Sequence, residues 1–265
     1  MKKKQPIISR EEILEQIRNF RLMDDEFMTK VFDENIPCTQ LVLRIILDKP
    51  DLIVKEVHAQ YPLANLRRRS VRLDVFAVDS EGKAYNIEVQ RKDAGADARR
   101  ARYNSSLLDA NITEAGRKFE NLTETYVIFI TERDIFGAGQ AVYEIERMIR
   151  GTDICFDDGA HIRYVNGEYR GDTPVGRLMH DFFCTKPDEM QYSELAERTR
   201  YFKEDEEGVN SMSSGMEKLM DRYYLERNKE GIKELLRNGV APNLIAKALK
   251  ISIADVEALA RTLHE

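Results

Sequence analysis

The chain has 265 residues, of which 42% are hydrophobic and 33% charged, with a net charge of −6. That is enough apolar material for one large domain, or for one of about 200 residues with an appendage, without a disulfide or structural metal. It excludes a membrane-spanning helix, since no run of 18 apolar residues occurs, and a uniformly basic nucleic-acid coat.

From the N-terminus, MKKKQPIISREE carries positive charge with no apolar stretch behind it, so no secretory signal is read and a cytoplasmic location is expected. Residues 11–20, 24–34 and 38–48 have helical spacing, and 51–60 is extended. VRLDVFAV (71–78) and AYNIEVQ (84–90) flank the turn-like DSEGK, the pattern of a β-hairpin. A helix over 96–110 and a buried strand over 125–131 follow, then a helix over 140–150 and a strand over 161–167. Cys38, Cys155 and Cys184 share no CxxC spacing, which argues against a zinc knuckle or a disulfide framework. KEDEEGVNSMSSG, from Lys203 to Gly215, reads as a linker, and 216–238, 242–250 and 253–263 as helices. Strands interleaved with helices imply an α/β fold on a mixed sheet flanked by helices, with a small C-terminal all-helical appendage.

Charge is unevenly spread. Between Gln60 and Ser105 ten Lys and Arg face six acids, a local +4 in a chain of −6, so one face could attract a polyanion. If the hairpin is symmetric about Glu81, Asp74 opposes Glu88, with Cβ atoms about 4.5–5.5 Å apart on one face. Like charges so placed are destabilising, and a divalent cation, Mg²⁺ or Mn²⁺, would remove the penalty. Gln90 and Lys92 follow Glu88 on the same face, where a side chain could orient a water for phosphodiester hydrolysis. The same spacing also suits plain ion pairs, Asp74 with one of Arg67 to Arg72 and Glu88 with Arg100.

RLDVFAVDSEGKAYNIEVQ and RARYNSSLLDA, with DDEFMTKVF, TYVIFIT, YVNGEYRG and LMHDF in order over about residues 20–205, resemble the bacterial Rpn (recombination-promoting nuclease)/transposase-type family of the PD-(D/E)XK nuclease superfamily. The resemblance implies a restriction-endonuclease-like core with its metal at the centre of a strand meander. Asp74 and Glu88 then match the metal-binding acids, and Asp25 matches an early acid on the first core helix. Gln90 stands where the superfamily usually has lysine; it can position water but adds no charge, so Gln90→Lys is expected to retain or raise activity. Lys92 could substitute for the missing cation.

Arg99, Arg100, Arg102 and Tyr103 follow on one helix, and Arg67, Arg68 and Arg69 precede the first site strand; all suit DNA phosphates or bases. His180-Asp181 reads as a structural pair, and the helical tail lacks the basic face of a DNA-reading helix. The expectation is a nuclease-like domain at 1–205, a linker at 206–215 and a helical region at 216–265. The function expected is a Mg²⁺-dependent DNA endonuclease, with a non-catalytic nuclease-fold DNA-binding protein as the alternative. DNA is the expected partner, no membrane is, and a homo-oligomer stays open.

Overall fold

The computed structural model describes residues 10–64, 70–91, 95–113, 116, 118–249 and 251–262. They fall into two compact units: Asn19–Lys203, and the described parts of Met1–Arg18 with Glu204–Glu265. No described helix is long and apolar enough to cross a membrane.

The larger unit carries β1 (Val54–Leu63), β2 (Val71–Asp79), β3 (Ala84–Gln90), β4 (Thr125–Thr131), β5 (Val142–Ile145) and β6 (Ala160–Asn166). They form one mixed α/β sheet in the order β1-β2-β3-β4-β6-β5. β1, β2 and β3 are an antiparallel meander, β3, β4 and β6 run parallel, and β5 returns antiparallel along β6. β4, Thr-Tyr-Val-Ile-Phe-Ile-Thr, is buried at every position, as a strand with neighbours on both sides and helices over the sheet requires.

A parallel pair needs a crossover, and α4 (Ala98–Ile112) supplies it between β3 and β4. Asp97 caps it, its carboxylate accepting from the Arg99 amide at 2.7 Å. Leu107 and Leu108 of α4 pack on Phe76 and Ala84, so this helix covers the sheet face that carries Asn86 and Glu88. α1 (Arg10–Asn19) comes first; of α2 (Asp25–Phe32), α3 (Ile36–Leu47), α5 (Pro174–Phe183) and α6 (Ser193–Glu204), the first two pack on β1, and α5 on α3.

The hairpin register is the expected one where it is formed: Val78 pairs with Ala84, Phe76 with Asn86, and Val75 with Ile87. Its turn is fixed by Asp79, whose Oδ1 accepts from the amides of Glu81 and Lys83 at 2.9 Å each, and by Gly82 at φ +81°.

Two expectations fail. Residues 140–150 are not a helix: Val142–Ile145 is the edge strand β5, paired from Val142↔Val165 to Ile145↔Ile162. Ile145, Met148 and Ile149, which have helical spacing, are all exposed, so no helical face is buried there; pairing with β6 prevails. Nor is 206–215 a linker. It opens α7 (Glu206–Arg237), because the Asp205 side chain caps the amides of Glu207 and Gly208 while Glu206 and Glu207 suit the positive end of the helix. The unit boundary still falls beside it, between Lys203 and Glu204. In the smaller unit Ile232 of α7, Ile245 of α8 (Pro242–Leu249) and Val256 of α9 (Ile253–Arg261) share one apolar cluster.

Candidate active site

The β2–β3 ladder stops at Val75↔Ile87, one step short of Asp74 and Glu88. Past that point the strands part, and the Asp74 carboxylate takes over a backbone role: its Oδ2 accepts from the Val89 amide at 3.0 Å. Glu88 is fully buried beneath α4. Its Oε2 accepts from Arg100 Nη2 at 2.5 Å, whereas its Oε1 has no hydrogen-bond partner among the described residues.

Arg100 ties the site together. Its Nη1 donates to Gln90 Oε1 at 3.1 Å and to the Gly95 carbonyl at 2.9 Å, and its guanidinium lies over the Phe129 ring. One cation thus spans Glu88, Gln90 and the loop before α4. A Cβ at Gly95 would stand 1.9 Å from Gln90 Oε1, so a larger residue there would displace the Gln90 side chain. Asn86 of β3 and Asn104 of α4 are buried without a well-aligned hydrogen bond among the described residues, and the Asn86 amide lies near enough to Glu88 to favour its charged form.

The electrostatics follow from burial. Desolvation pushes the Asp74 carboxyl up to about 6, helped by the Asp25 charge and opposed by the Val89 amide, Arg100 and Arg72. Desolvation and then the Asp74 charge push Glu88 up to about 7, against the pull of Arg100, of the nearby Asn86 amide and of the Asp74 backbone N–H. The Asp74 charge makes Glu88 harder to ionise, so the two acids titrate as a coupled pair. An unpartnered buried carboxylate oxygen beside a second acid is a donor set that fits a hard divalent cation. Among the described residues, however, no group of three or more His, Cys, Asp or Glu side chains is arranged to hold a metal. Asp25 is exposed, acts on Asp74 through its charge, and accepts from Gln60 Nε2 at 3.4 Å.

No family model, curated protein or solved structure matches this chain.

Of the residues singled out in the sequence, Asp74, Glu88 and Gln90 come together at one end of β2 and β3. Arg67, Arg68, Arg69 and Lys92 lie outside the described residues. Arg99 and Arg102 are exposed on α4. Tyr103 is half-buried and packs against the Leu107–Phe76 cluster, so it does not share an open face with Arg99. Arg100, grouped in the sequence with the phosphate-gripping arginines, pairs with Glu88, as the ion-pair alternative had it, and also with Gln90.

Sequence reading missed Gln60, Asn86, Gly95 and Asn104. Asn86 was within reach, since it sits two residues before Glu88 and so on the same strand face. The Gln60 backbone at φ +53° leaves no mark in the sequence; its side chain reaches Thr29 Oγ1 at 3.1 Å. His180-Asp181 is structural: the buried Asp181 carboxylate accepts from the amides of Gln191 and Tyr192 at 2.8 and 2.9 Å. A cleft of about 400 Å³ near Lys49, Lys83 and Tyr85 lies at the Gly82 end of the hairpin, away from the two acids.

Proposed function

We propose that the larger unit is a metal-dependent deoxyribonuclease of the recombination-promoting, PD-(D/E)XK type, acting in DNA rearrangement or defence. The observation that carries this reading is Glu88: a fully buried carboxylate with one oxygen unpartnered, beside the raised Asp74 carboxyl. Burying such a group costs several kcal/mol unless something compensates it, and one arginine reaches only one of its oxygens.

Asp74 and Glu88 would hold Mg²⁺ or Mn²⁺, which supplies Lewis-acid polarisation of a phosphoryl oxygen and eases deprotonation of water. Asp25 adds negative charge nearby. Gln90 supplies an amide that can hydrogen-bond an attacking water, and Arg100, beside it, supplies the positive charge that the amide lacks. Exposed Arg99 and Arg102 face solvent on the same helix and suit the flanking DNA backbone.

A second reading, a nuclease-fold DNA-binding protein without catalysis, draws support from the Arg100–Glu88 ion pair, which already neutralises one acid. Nicking of supercoiled plasmid with Mg²⁺ and with EDTA separates the two. The enzyme reading expects Mg²⁺-dependent nicking that Asp74→Ala and Glu88→Ala each abolish in folded protein. Metal-independent nicking, or full activity in either variant, would refute it.

A further inference from the structure

Arg100 is held on one side and open on the other. Its guanidinium carries five N–H donors. Both Nη1 hydrogens are matched by the Gln90 and Gly95 oxygens, and one Nη2 hydrogen by Glu88. Among the described residues that leaves Nε–H and the second Nη2–H without a partner. The side chain is 37% exposed, whereas that of Glu88 is fully buried, so the open donors sit at the solvent edge of the site.

The Glu88 oxygen that Arg100 engages belongs to the carboxylate whose other oxygen is unpartnered. A carboxylate that turns to a divalent ion has less negative charge to offer an arginine, and an arginine beside a divalent ion is repelled. The planar fork that suits a carboxylate suits a phosphate equally well. Gln90 and Gly95 hold the near edge of the guanidinium, so exchanging one anion for the other needs no relocation of the side chain.

From this we infer that Arg100 couples metal to DNA: it exchanges the Glu88 carboxylate for a DNA phosphate when that carboxylate turns to a divalent ion. This inference rests on the metal-site reading of Asp74 and Glu88. It makes Arg100 a phosphate ligand whose strength is set by the metal, unlike Arg99 and Arg102, which have no such link.

The coupling is measurable without turnover. Affinity for a short duplex is compared in EDTA and in saturating Ca²⁺, for the native protein, Arg100→Gln and Arg100→Lys, with Mn²⁺ binding followed separately by titration calorimetry. Gln and Lys each keep a donor for Glu88, so the buried carboxylate is not stripped of its partner; melting curves check the fold. In the native protein, metal should tighten DNA binding about tenfold or more beyond its effect on Arg100→Gln, on the basis of about 1.5–3 kcal/mol for a charged hydrogen bond. In EDTA Arg100→Gln should lose only the modest affinity of one part-exposed cation, clearly less than it loses in Ca²⁺, and Arg100→Lys should keep part of the coupling.

Equal loss of affinity by Arg100→Gln with and without metal would make Arg100 an ordinary phosphate contact and overturn the inference. So would unchanged coupling in that variant while Mn²⁺ still binds and still requires Asp74. Absence of Mn²⁺ binding in the native protein, or Mn²⁺ binding that survives Asp74→Ala, would instead sink the metal-site reading, and this inference with it.

Discussion

Asp74→Asn tests the buried Asp74 carboxyl through stability alone. The carboxyl is raised from 3.8 to about 6, chiefly by burial, with the Asp25 charge adding to the shift. At 1.36 kcal/mol per pKa unit, keeping it ionised in the folded chain costs up to about 3 kcal/mol at neutral pH and above. Between about pH 4 and pH 6 the folded chain holds this proton and the unfolded chain has lost it. Stability contributed by the neutral carboxyl is therefore full at low pH and is lost as pH rises through about 6. Asparagine keeps the shape and can still accept from the Val89 amide, but never ionises. In EDTA at pH 8 the variant should be more stable than the native chain, by up to about 3 kcal/mol, or roughly 6–12 °C in melting temperature for a unit of this size. By pH 4 the advantage should shrink to about 0.5 kcal/mol. Added Mg²⁺ should stabilise the native chain and leave the variant nearly unmoved, narrowing the gap from the other side. Thermal melts over a pH series in EDTA and in Mg²⁺ measure all three effects. A variant less stable than native at pH 8 in EDTA, or an advantage independent of pH, would mean that the Asp74 carboxylate is satisfied as it stands.

The Gln90–Arg100 contact argues for the opposite sign to that expected for Gln90→Lys from the sequence. Gln90 Oε1 accepts from Arg100 at 3.1 Å, so a lysine there sets a second cation against the first and removes an acceptor; at about 4 Å and an effective dielectric of 20 this costs about 4 kcal/mol. Lower nicking activity and a lower melting temperature are expected, and activity at or above native would show that Arg100 does not depend on Gln90. Gly95→Ala should push the Gln90 side chain off Arg100, since the new methyl would fall on its amide oxygen. That amide can swing aside, so nicking should fall while stability changes by less than ~1 kcal/mol; unchanged nicking would mean that the Gln90–Arg100 contact is dispensable. A chain of residues 19–203 should be soluble and melt cooperatively, because these residues form a compact unit with their own core; insolubility would show that this unit needs the other to fold.

How far the sequence could be read depended on the range of each interaction. The hairpin register was legible because alternation and the Asp-Ser-Glu-Gly-Lys turn act locally, and Val78↔Ala84 through Val75↔Ile87 follow from them. The meeting of Asp74 with Glu88 came from the same counting. It could not foresee that the ladder ends one pair early, because that depends on Asp74 taking the Val89 amide. The linker at 206–215 misled for a related reason. Ser, Gly, Asn and Val lower helix propensity on average, yet one cap at Asp205 and the continuing helix beyond override it. Residues 140–150 misled through spacing shared by a helix and by an exposed hairpin, which only the partner strand β6 could resolve.

Arg100 marks where local reading stops. In the sequence it is one of three arginines on a helix, alike in type and in chemistry. Its phase on α4 turns it toward the sheet while Arg99 and Arg102 stay exposed, and the β3–α4 crossover sets that phase against Glu88. Two links in that chain are legible in the sequence, the helix and the strand. The third is the packing of Leu107 and Leu108 on Phe76 and Ala84, which fixes the rotation of α4 over β3. A substitution that rotates this helix without touching either acid, such as a larger residue at Ala101, should therefore disturb Glu88 through Arg100. Ala101 is 1% exposed and one residue from Arg100, packed with Val127 and Phe129, so Ala101→Leu has no free space to enter. It ties the chemistry of the site to the packing of its covering helix.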